Sequence, residues 1–184
     1  FAQDLKNKIE ANDYDLAILV DLGDPARCGA DFAALTPQNW LVIDHHLNGA
    51  HPLQNNYLDA QAASCSVLLE RIFKVLDIEI DEPLATLMYV SLSADTGSFH
   101  YSNSNSEAFA LASRLVDCGV NVWQVAYQLW EIAPLKRYQL LARVLKTLQL
   151  ESNPKIASIV LSLDDCEAVV VEPGMYDGFI NYPR

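Results

Sequence analysis

Basic residues are scarce in this chain of 184 residues. It has 12 lysines and arginines against 24 aspartates and glutamates, which gives a formal net charge of −12. Proteins that hold long nucleic acids neutralise many phosphates with a basic surface, so the charge argues against a partner such as long duplex DNA. A small anionic substrate in a local site remains open, above all where metal ions supply the positive charge.

Long hydrophobic runs are also missing. No apolar run approaches the ~20 residues that span a bilayer, and the longest apolar-rich piece, residues 84–92, is interrupted by Thr86 and Ser91. The first residues do not show the succession of charged, apolar and small residues that makes a signal peptide. We therefore expect no membrane partner.

Cysteines in metal-binding spacing are absent as well. The four cysteines lie far apart and form no C-x-x-C pair; they are Cys28, Cys65, Cys118 and Cys166. This spacing argues against a zinc knuckle and against a dense disulfide framework. We expect buried free thiols and a cytoplasmic location, with a reactive cysteine as the alternative.

Short apolar runs alternate with longer helical patterns along the chain. Residues 15–21, "DLAILVD", and 40–46, "WLVIDHH", are typical of buried parallel strands, and "NNYLD" indicates a shorter third strand. The spacing of apolar residues predicts helices over residues 64–77, 82–95, 102–119, 121–131 and 134–150. Together these patterns predict an α/β fold with a mainly parallel sheet flanked by helices.

The character of the sequence changes near residue 150. "ESNP" predicts a turn and "KIASIVLSLDD" predicts a strand, and the last 34 residues are too few to bury a core of their own. We therefore expect a first domain over residues 1–133 and a linker helix over residues 134–150. Residues 151–184 are expected to begin a second, smaller α/β domain.

Polar side chains follow the predicted strands. Asp21 ends the first strand, and Asp44, His45 and His46 end the second. The carboxyl ends of parallel strands meet at one edge of the sheet, where ligands bind, so we expect both sets there. Asp95, in "LSADTGSF", ends an apolar helix and begins a Thr-Gly turn. The sequence therefore predicts one group of carboxylates and imidazoles.

Each of these residues alone has an ordinary structural interpretation. Asp21 could form an Asx-turn with Gly23, Asp95 could cap or turn the chain, and the two histidines could be hydrogen-bonded loop side chains. Together they put metal-type ligands at three strand or helix ends. Carboxylates and imidazoles without thiolates suit Mn²⁺, Fe²⁺ or Mg²⁺ better than structural zinc. Two such ions about 3.5–4 Å apart are a standard device for phosphoester hydrolysis.

Three motifs in order carry a family resemblance. "VIDHH" at 42–46, "LVDLGD" at 19–24 and "ADTGSF" at 94–99 resemble the DHH phosphoesterase family, which is named for the central tripeptide. Members include inorganic pyrophosphatases, a single-strand exonuclease and cyclic-dinucleotide phosphodiesterases. The order and spacing are most similar to the bifunctional oligoribonuclease/3′-phosphoadenosine-5′-phosphate (PAP) phosphatases. The resemblance implies a DHH domain followed by a substrate-binding domain of the DHHA1 type.

The resemblance implies a role for each residue of the group. Asp21 would bridge two metal ions, and His45 and Asp95 would ligate the second of them. His46 would face the scissile phosphate, and Asp44 would support the histidine pair. Two manganese ions are the implied cofactor, with magnesium possible.

Arg27 resembles a position on the substrate side of the family's site, whereas His51 and His100 match no family role. The implied reaction is attack of a metal-activated water on the phosphoester bond of a short oligoribonucleotide or of PAP. A homodimer is left open. The alternatives are another hydrolase of the family and a non-catalytic nucleotide-sensing domain.

Two family motifs are missing from the chain. The motif that supplies most ligands of the first metal, N-x-D-x-D-A or P-D-x-D-A, is expected upstream of Phe1. The glycine-rich motif of the second domain is expected beyond Arg184. On this reading the chain holds half of the metal site, and we expect it to have little or no activity by itself.

Overall fold

Three parallel strands form the sheet that carries the predicted group. The computed structural model of the protein describes residues 16–23, 27, 40–46, 55–153 and 155–183. The strands are β1 (Ala17–Val20), β2 (Trp40–Asp44) and β3 (Asn56–Leu58), in the order β1-β2-β3. Leu19 pairs with Val42, and Ile43 pairs with Tyr57. The prediction of an α/β fold with a parallel sheet is confirmed.

Helices follow the sheet where the apolar spacing predicted them. They are α1 (Cys65–Val75), α2 (Glu82–Asp95), α3 (Ser106–Asp117) and α4 (Val122–Ala126), the last continued by a π-helical turn over Tyr127–Glu131. Helix α2 begins after Asp81, whose carboxylate accepts from the Leu84 N–H, and Asn105 caps α3 in the same way. Gly119, with φ of +105°, follows the end of α3.

The main core lies between the sheet and helices α1–α3. Its fully or nearly fully buried side chains include Ile43, Val67, Leu68, Met88, Leu92, Leu111 and Leu115. Burying one such side chain contributes about 1.5–3 kcal/mol, so this layer fixes the sheet against the helices. The carboxyl end of β2 is thereby held beside the start of α1.

Arg71 on α1 joins the end of β3 to α3. Its guanidinium donates to Asp59 at 2.6 Å and to both carboxylate oxygens of Glu107 at 2.8 and 2.7 Å. These hydrogen bonds lower the pKa of both Asp59 and Glu107. The three charged groups stabilise the loop that follows β3.

A second compact unit runs from Trp130 to Arg184. It contains α5 (Leu135–Leu145), strands β4 (Gln149–Leu150) and β5 (Ala157–Ser158), α6 (Leu163–Val169) and a 3₁₀ turn at Phe179–Asn181. Strands β4 and β5 are antiparallel. The core of this unit consists of Leu140, Leu141, Val144, Met175 and Phe179.

Two elements of this unit differ from the sequence expectation. The helix predicted over 134–150 ends at Leu145, because the chain turns there and Thr147 Oγ1 accepts from the Val160 N–H at 2.8 Å. The strand predicted over 155–165 is confined to Ala157–Ser158. Ser162 begins a helix instead, since its side chain and that of Asp165 form a reciprocal capping box.

No helix in the described part of the chain is long and apolar enough to cross a membrane.

Candidate metal centre

The predicted group assembles at the carboxyl edge of the parallel sheet. Asp21 directly follows β1, and its backbone N–H donates to the Ile43 carbonyl at 2.9 Å, which extends the pairing of the two strands. Asp21 has φ of +60°, a conformation that costs a non-glycine residue roughly 1–2 kcal/mol. Strained residues of this kind concentrate at functional sites, where the surrounding structure holds them in place.

Asp44 organises the turn after β2. The side chain is 2% exposed, and its Oδ1 accepts from the backbone N–H of His45 at 2.7 Å and of His46 at 3.1 Å. The same oxygen lies 2.6 Å from His46 Nδ1. Burial raises the pKa of Asp44, but the hydrogen bonds with His46 and His45 outweigh burial and hold the pKa below its ordinary value. Asp44 is therefore an anion that orients both histidines.

One ring nitrogen of His45 is hydrogen-bonded to the backbone, and the other has no hydrogen-bond partner among the described residues. Nδ1 lies 3.2 Å from the carbonyl oxygen of Ala62, which can only accept, so Nδ1 is the donor in this contact and Nε2 is the ring nitrogen that faces the carboxylates. Nε2 lies 3.4 Å from Asp21 Oδ1 and 3.6 Å from Asp95 Oδ2. Both His45 Nε2 and Asp95 Oδ2 are buried atoms without a hydrogen-bond partner among the described residues.

Asp95 is the last residue of α2. Burial raises the pKa of its carboxyl, while the nearby His45 acts in the opposite direction. The following turn is fixed by Thr96, whose hydroxyl donates to the Leu92 carbonyl at 2.6 Å. Gly97 has φ of +55°, and a Cβ there would overlap the Tyr101 ring. The Thr-Gly pair of the third motif therefore sets the geometry that brings Asp95 to the sheet edge.

His46 faces the open side of the group. Its side chain is 54% exposed, and its ring centroid lies 4.8 Å from that of His45. The hydrogen bond with Asp44 raises the pKa of His46, so the charged imidazolium is favoured. Nδ1 also lies 3.6 Å from Asp21 Oδ1. A partly exposed cation beside a group of carboxylates is suited to hold an anion.

The donor atoms fit a divalent metal ion. Asp21, His45 and His46 offer ligand atoms that all lie within 4.8 Å of one another. Around His45 Nε2, one oxygen of Asp21 lies at 3.4 Å and one oxygen of Asp95 lies at 3.6 Å. Two buried polar atoms without partners are costly in an empty protein site, and a bound cation would satisfy both.

Two residues at this edge were not anticipated from the sequence. The Cys65 thiol lies 3.4 Å from the Ile43 carbonyl and 3.6 Å from Asp21 Oδ1, and burial raises its pKa to about 12. Asn103 donates to the backbone carbonyls of Asp95 and Ala63. The signal for Cys65 was its place at the start of the helix after β3; nothing in the sequence marks Asn103.

Arg27 and His100 make no hydrogen bond or ion pair with this group among the described residues. Arg27 is exposed, and no hydrogen bond or ion pair among the described residues joins it to the sheet-edge side chains. His51 lies outside the described residues. His100 is exposed, and its Nδ1 lies 3.0 Å from the carbonyl oxygens of Gly97 and Ser98. The structure thus brings together five of the six predicted site residues and leaves Arg27 outside.

The chain is similar to curated phosphoesterases. It is 28% identical over 180 residues to the probable bifunctional oligoribonuclease and PAP phosphatase NrnA of Streptococcus mutans, which covers 92% of the chain and 57% of that relative. It is 25% identical over 105 residues to the bifunctional oligoribonuclease and PAP phosphatase NrnA of Thermus thermophilus, covering 57% of the chain and 32% of the relative. The chain thus spans just over half, or less, of the length of these relatives.

The chain is also similar to a third curated enzyme and to a solved structure. A probable manganese-dependent inorganic pyrophosphatase of Lactiplantibacillus plantarum is 33% identical over 90 residues, which are 47% of the chain and 28% of that enzyme. The crystal structure of an exopolyphosphatase-related protein from Bacteroides fragilis superposes with a TM-score of 0.89 at 22% identity, covering 100% of the chain and 54% of that protein. This likeness shows the fold.

No family model matches the chain. The described residues of the three motifs, 19–23, 42–46 and 94–99, nevertheless lie at the carboxyl ends of β1, β2 and α2. The relatives named above are phosphate-releasing or nuclease enzymes, in agreement with those motifs. Motifs and relatives together confirm the resemblance of the chain to the DHH family of phosphoesterases.

Proposed function

We propose that this chain carries the metal centre of a phosphoesterase that hydrolyses short oligoribonucleotides, PAP or both. One observation carries the proposal. His45 Nε2 and Asp95 Oδ2 are buried, have no hydrogen-bond partner in the part of the chain that the structure describes, lie 3.6 Å apart and are flanked by Asp21. Protein interiors rarely leave two such atoms facing each other unless something binds between them.

Each residue of the group then has a distinct task. Asp21, His45 and Asp95 would hold a divalent ion, which when bound polarises phosphoryl oxygens and lowers the pKa of water. His46 would hold the negative charge of the phosphoryl group through its exposed imidazolium. Asp44 would keep His46 protonated and both histidines oriented, since its Oδ1 accepts from both backbone N–H groups.

Manganese is the proposed ion, and magnesium is the alternative. Carboxylate oxygens with neutral imidazole suit Mn²⁺, whereas Mg²⁺ prefers oxygen ligands alone. The Cys65 thiol is close to Asp21 but stays protonated, because burial raises its pKa to about 12. It is therefore a hydrogen-bond donor in this site. A second ion, which would also be held by Asp21, is part of the proposal.

The proposed substrates are small. Two relatives are named as oligoribonuclease and PAP phosphatase, and the net charge of −12 disfavours long nucleic acids. We also propose that residues 1–133 form the catalytic domain, 134–150 its linker and 151–184 part of a substrate-binding domain. Arg27 is proposed as a substrate contact. A cytoplasmic location fits the free cysteines Cys65, Cys118 and Cys166.

Metal titration and a substrate panel test the proposal. Calorimetry with Mn²⁺ should show binding to the wild-type chain and none to Asp21→Ala or His45→Ala. The full-length protein that contains this chain should then release mononucleotides from two- to five-residue RNA, or phosphate from PAP, in a Mn²⁺-dependent reaction. Equal or faster cleavage of a long single strand would contradict the small-substrate proposal.

Inorganic pyrophosphatase is the second candidate. It is favoured by the 33% identity to a probable manganese-dependent pyrophosphatase, although that match covers 47% of the chain. The same panel distinguishes the two, because pyrophosphate would then be the preferred substrate and RNA would be left intact.

A further inference from the structure

Asn103 lies in the segment between Asp95 and α3. Its side-chain nitrogen donates to the Asp95 carbonyl at 3.1 Å and to the Ala63 carbonyl at 3.1 Å. Both partners are acceptors, so the donating NH₂ end of the amide faces them. One side chain therefore joins the end of α2 to the loop that precedes α1.

The same loop holds His45. The carbonyl of Ala62, next to Ala63, accepts the hydrogen bond from His45 Nδ1 at 3.2 Å, and both alanines are buried. The contacts form a ring that runs from the Asp95 backbone through Asn103 and the two alanines to His45. The ring closes across the 3.6 Å between His45 Nε2 and Asp95 Oδ2, where no hydrogen bond exists.

The backbone between Asp95 and Asn103 is strained and needs contacts that hold it in place. Gly97, Ser98 and Phe99 have φ of +55°, +56° and +65°, three consecutive residues in the left-handed region. Such conformations cost free energy at each non-glycine residue and persist only where surrounding contacts hold them. The two hydrogen bonds of Asn103 fasten the far end of this strained turn to the carbonyls of Asp95 and Ala63.

We propose that Asn103 is a positioning residue of the metal centre, which sets the separation of His45 Nε2 and Asp95 Oδ2 by tying the Asp95 carbonyl to the loop that fixes the His45 ring. The inference rests on the proposed function, because it takes these two atoms as ligands of one divalent ion. Asn103 itself would touch neither the ion nor the substrate. Its effect passes through the backbone of Asp95 and of residues 62–63.

The test compares Asn103→Leu and Asn103→Ala with Asn121→Ala. Leucine nearly keeps the size of asparagine but removes both donors. Asn121 caps α4 by accepting from the Gln124 N–H at 3.0 Å, so its loss removes a hydrogen bond outside the ring. Mn²⁺ affinity by calorimetry should fall about 10–100-fold in both Asn103 variants, as for other residues that orient metal ligands. It should stay within about twofold in Asn121→Ala.

A second readout needs no metal. The ¹⁵N chemical shifts of the His45 ring at alkaline pH report which nitrogen carries the proton. The wild-type ring should be protonated on Nδ1, and Asn103→Leu should give a mixture of tautomers. A folded variant with lower thermal stability but with wild-type affinity and tautomer would overturn the inference, because Asn103 would then serve stability alone. A wild-type chain without Mn²⁺ binding would instead overturn the proposed function, and with it this role.

Discussion

The two adjacent histidines of the DHH motif lie in opposite situations. On one side, His46 is bonded to Asp44 within the protein and is half-exposed. By contrast, His45 Nε2 and Asp95 Oδ2 are buried, face each other and have no hydrogen-bond partner among the residues that the structure describes. Polar groups that are hydrogen-bonded within the protein stabilise a fold. Buried polar groups that lack a hydrogen-bond partner lower its stability until a ligand binds to them. The comparison separates a structural side, the hydrogen bonds of Asp44 with the two histidines, from a metal-binding side, His45 Nε2 and Asp95 Oδ2.

The largest expected effect is on the metal-binding side. Asp95→Asn keeps the size of the side chain but removes its charge, and we expect Mn²⁺ binding to fall by more than the roughly 10–100-fold that loss of an outer partner costs. The free energy of unfolding should not fall, since the change removes the charge of a carboxylate whose buried Oδ2 has no hydrogen-bond partner among the described residues. Calorimetry and urea unfolding measure the two quantities. A large loss of stability with unchanged Mn²⁺ affinity would reverse the assignment of sides.

Next comes the structural side. Asp44→Ala leaves the backbone N–H groups of His45 and His46 and the His46 ring without their acceptor. We expect a loss of about 2–4 kcal/mol in the free energy of unfolding, measured in urea. Asp81→Ala is the matched control, because it removes one exposed capping bond and should cost about 1 kcal/mol. An equal loss in the free energy of unfolding of the two variants would show that Asp44 stabilises the fold no more than an exposed helix cap does.

The turn after Asp95 gives a smaller effect that reaches both sides. Gly97→Ala puts a Cβ against the Tyr101 ring at a residue with positive φ, and we expect a loss of about 1–3 kcal/mol together with weaker Mn²⁺ binding. Gly119→Ala is the control: it also has positive φ, but the nearest atom is 3.3 Å away in the flexible Glu82 side chain. If the Gly97→Ala protein were destabilised but bound Mn²⁺ with wild-type affinity, the turn would not determine the geometry of the metal site.

The smallest effect concerns acid stability away from the metal centre. Arg71 lowers the pKa of Asp59 and Glu107, so their contribution is present above the pKa of the unfolded carboxyls and is lost as pH falls through the lower folded values. Arg71→Met should therefore flatten the decline of stability on the acid side. Arg27→Met, which removes the same charge from an exposed residue, should not. Urea unfolding at several pH values below about 5 checks the difference.

Sequence patterns predicted the first unit well because its signals are local. Helix α2 runs over Glu82–Asp95 as its apolar spacing and Pro83 indicated, and the polar residues after β1 and β2 meet because parallel strands end at one edge. The second unit was harder. The apolar run around Ile159 was typical of a strand, yet the capping box at Ser162 starts a helix.

Other features depended on the tertiary structure. Asn103 contacts Ala63, 40 positions earlier, and the Cys65 thiol contacts Asp21, 44 positions earlier. Neither contact could be predicted from the sequence, because no periodicity or motif spacing relates the two residues of either pair. The unpartnered state of His45 Nε2 is likewise a property of the packed site, since it requires Asp95 and the Ala62 carbonyl to be placed at once.

The register of β1 against β2 determines the relative positions of the residues in the candidate metal centre. Val20 pairs with Ile43, so Asp21 and Asp44 leave the sheet at the same level. A shift of β2 by one residue would move the following turn by about 3.3 Å and turn each of its side chains to the opposite face. Substitutions within β2 that keep its apolar character should thus be tolerated, whereas insertion or deletion of a single residue there should separate His45 from Asp21 altogether.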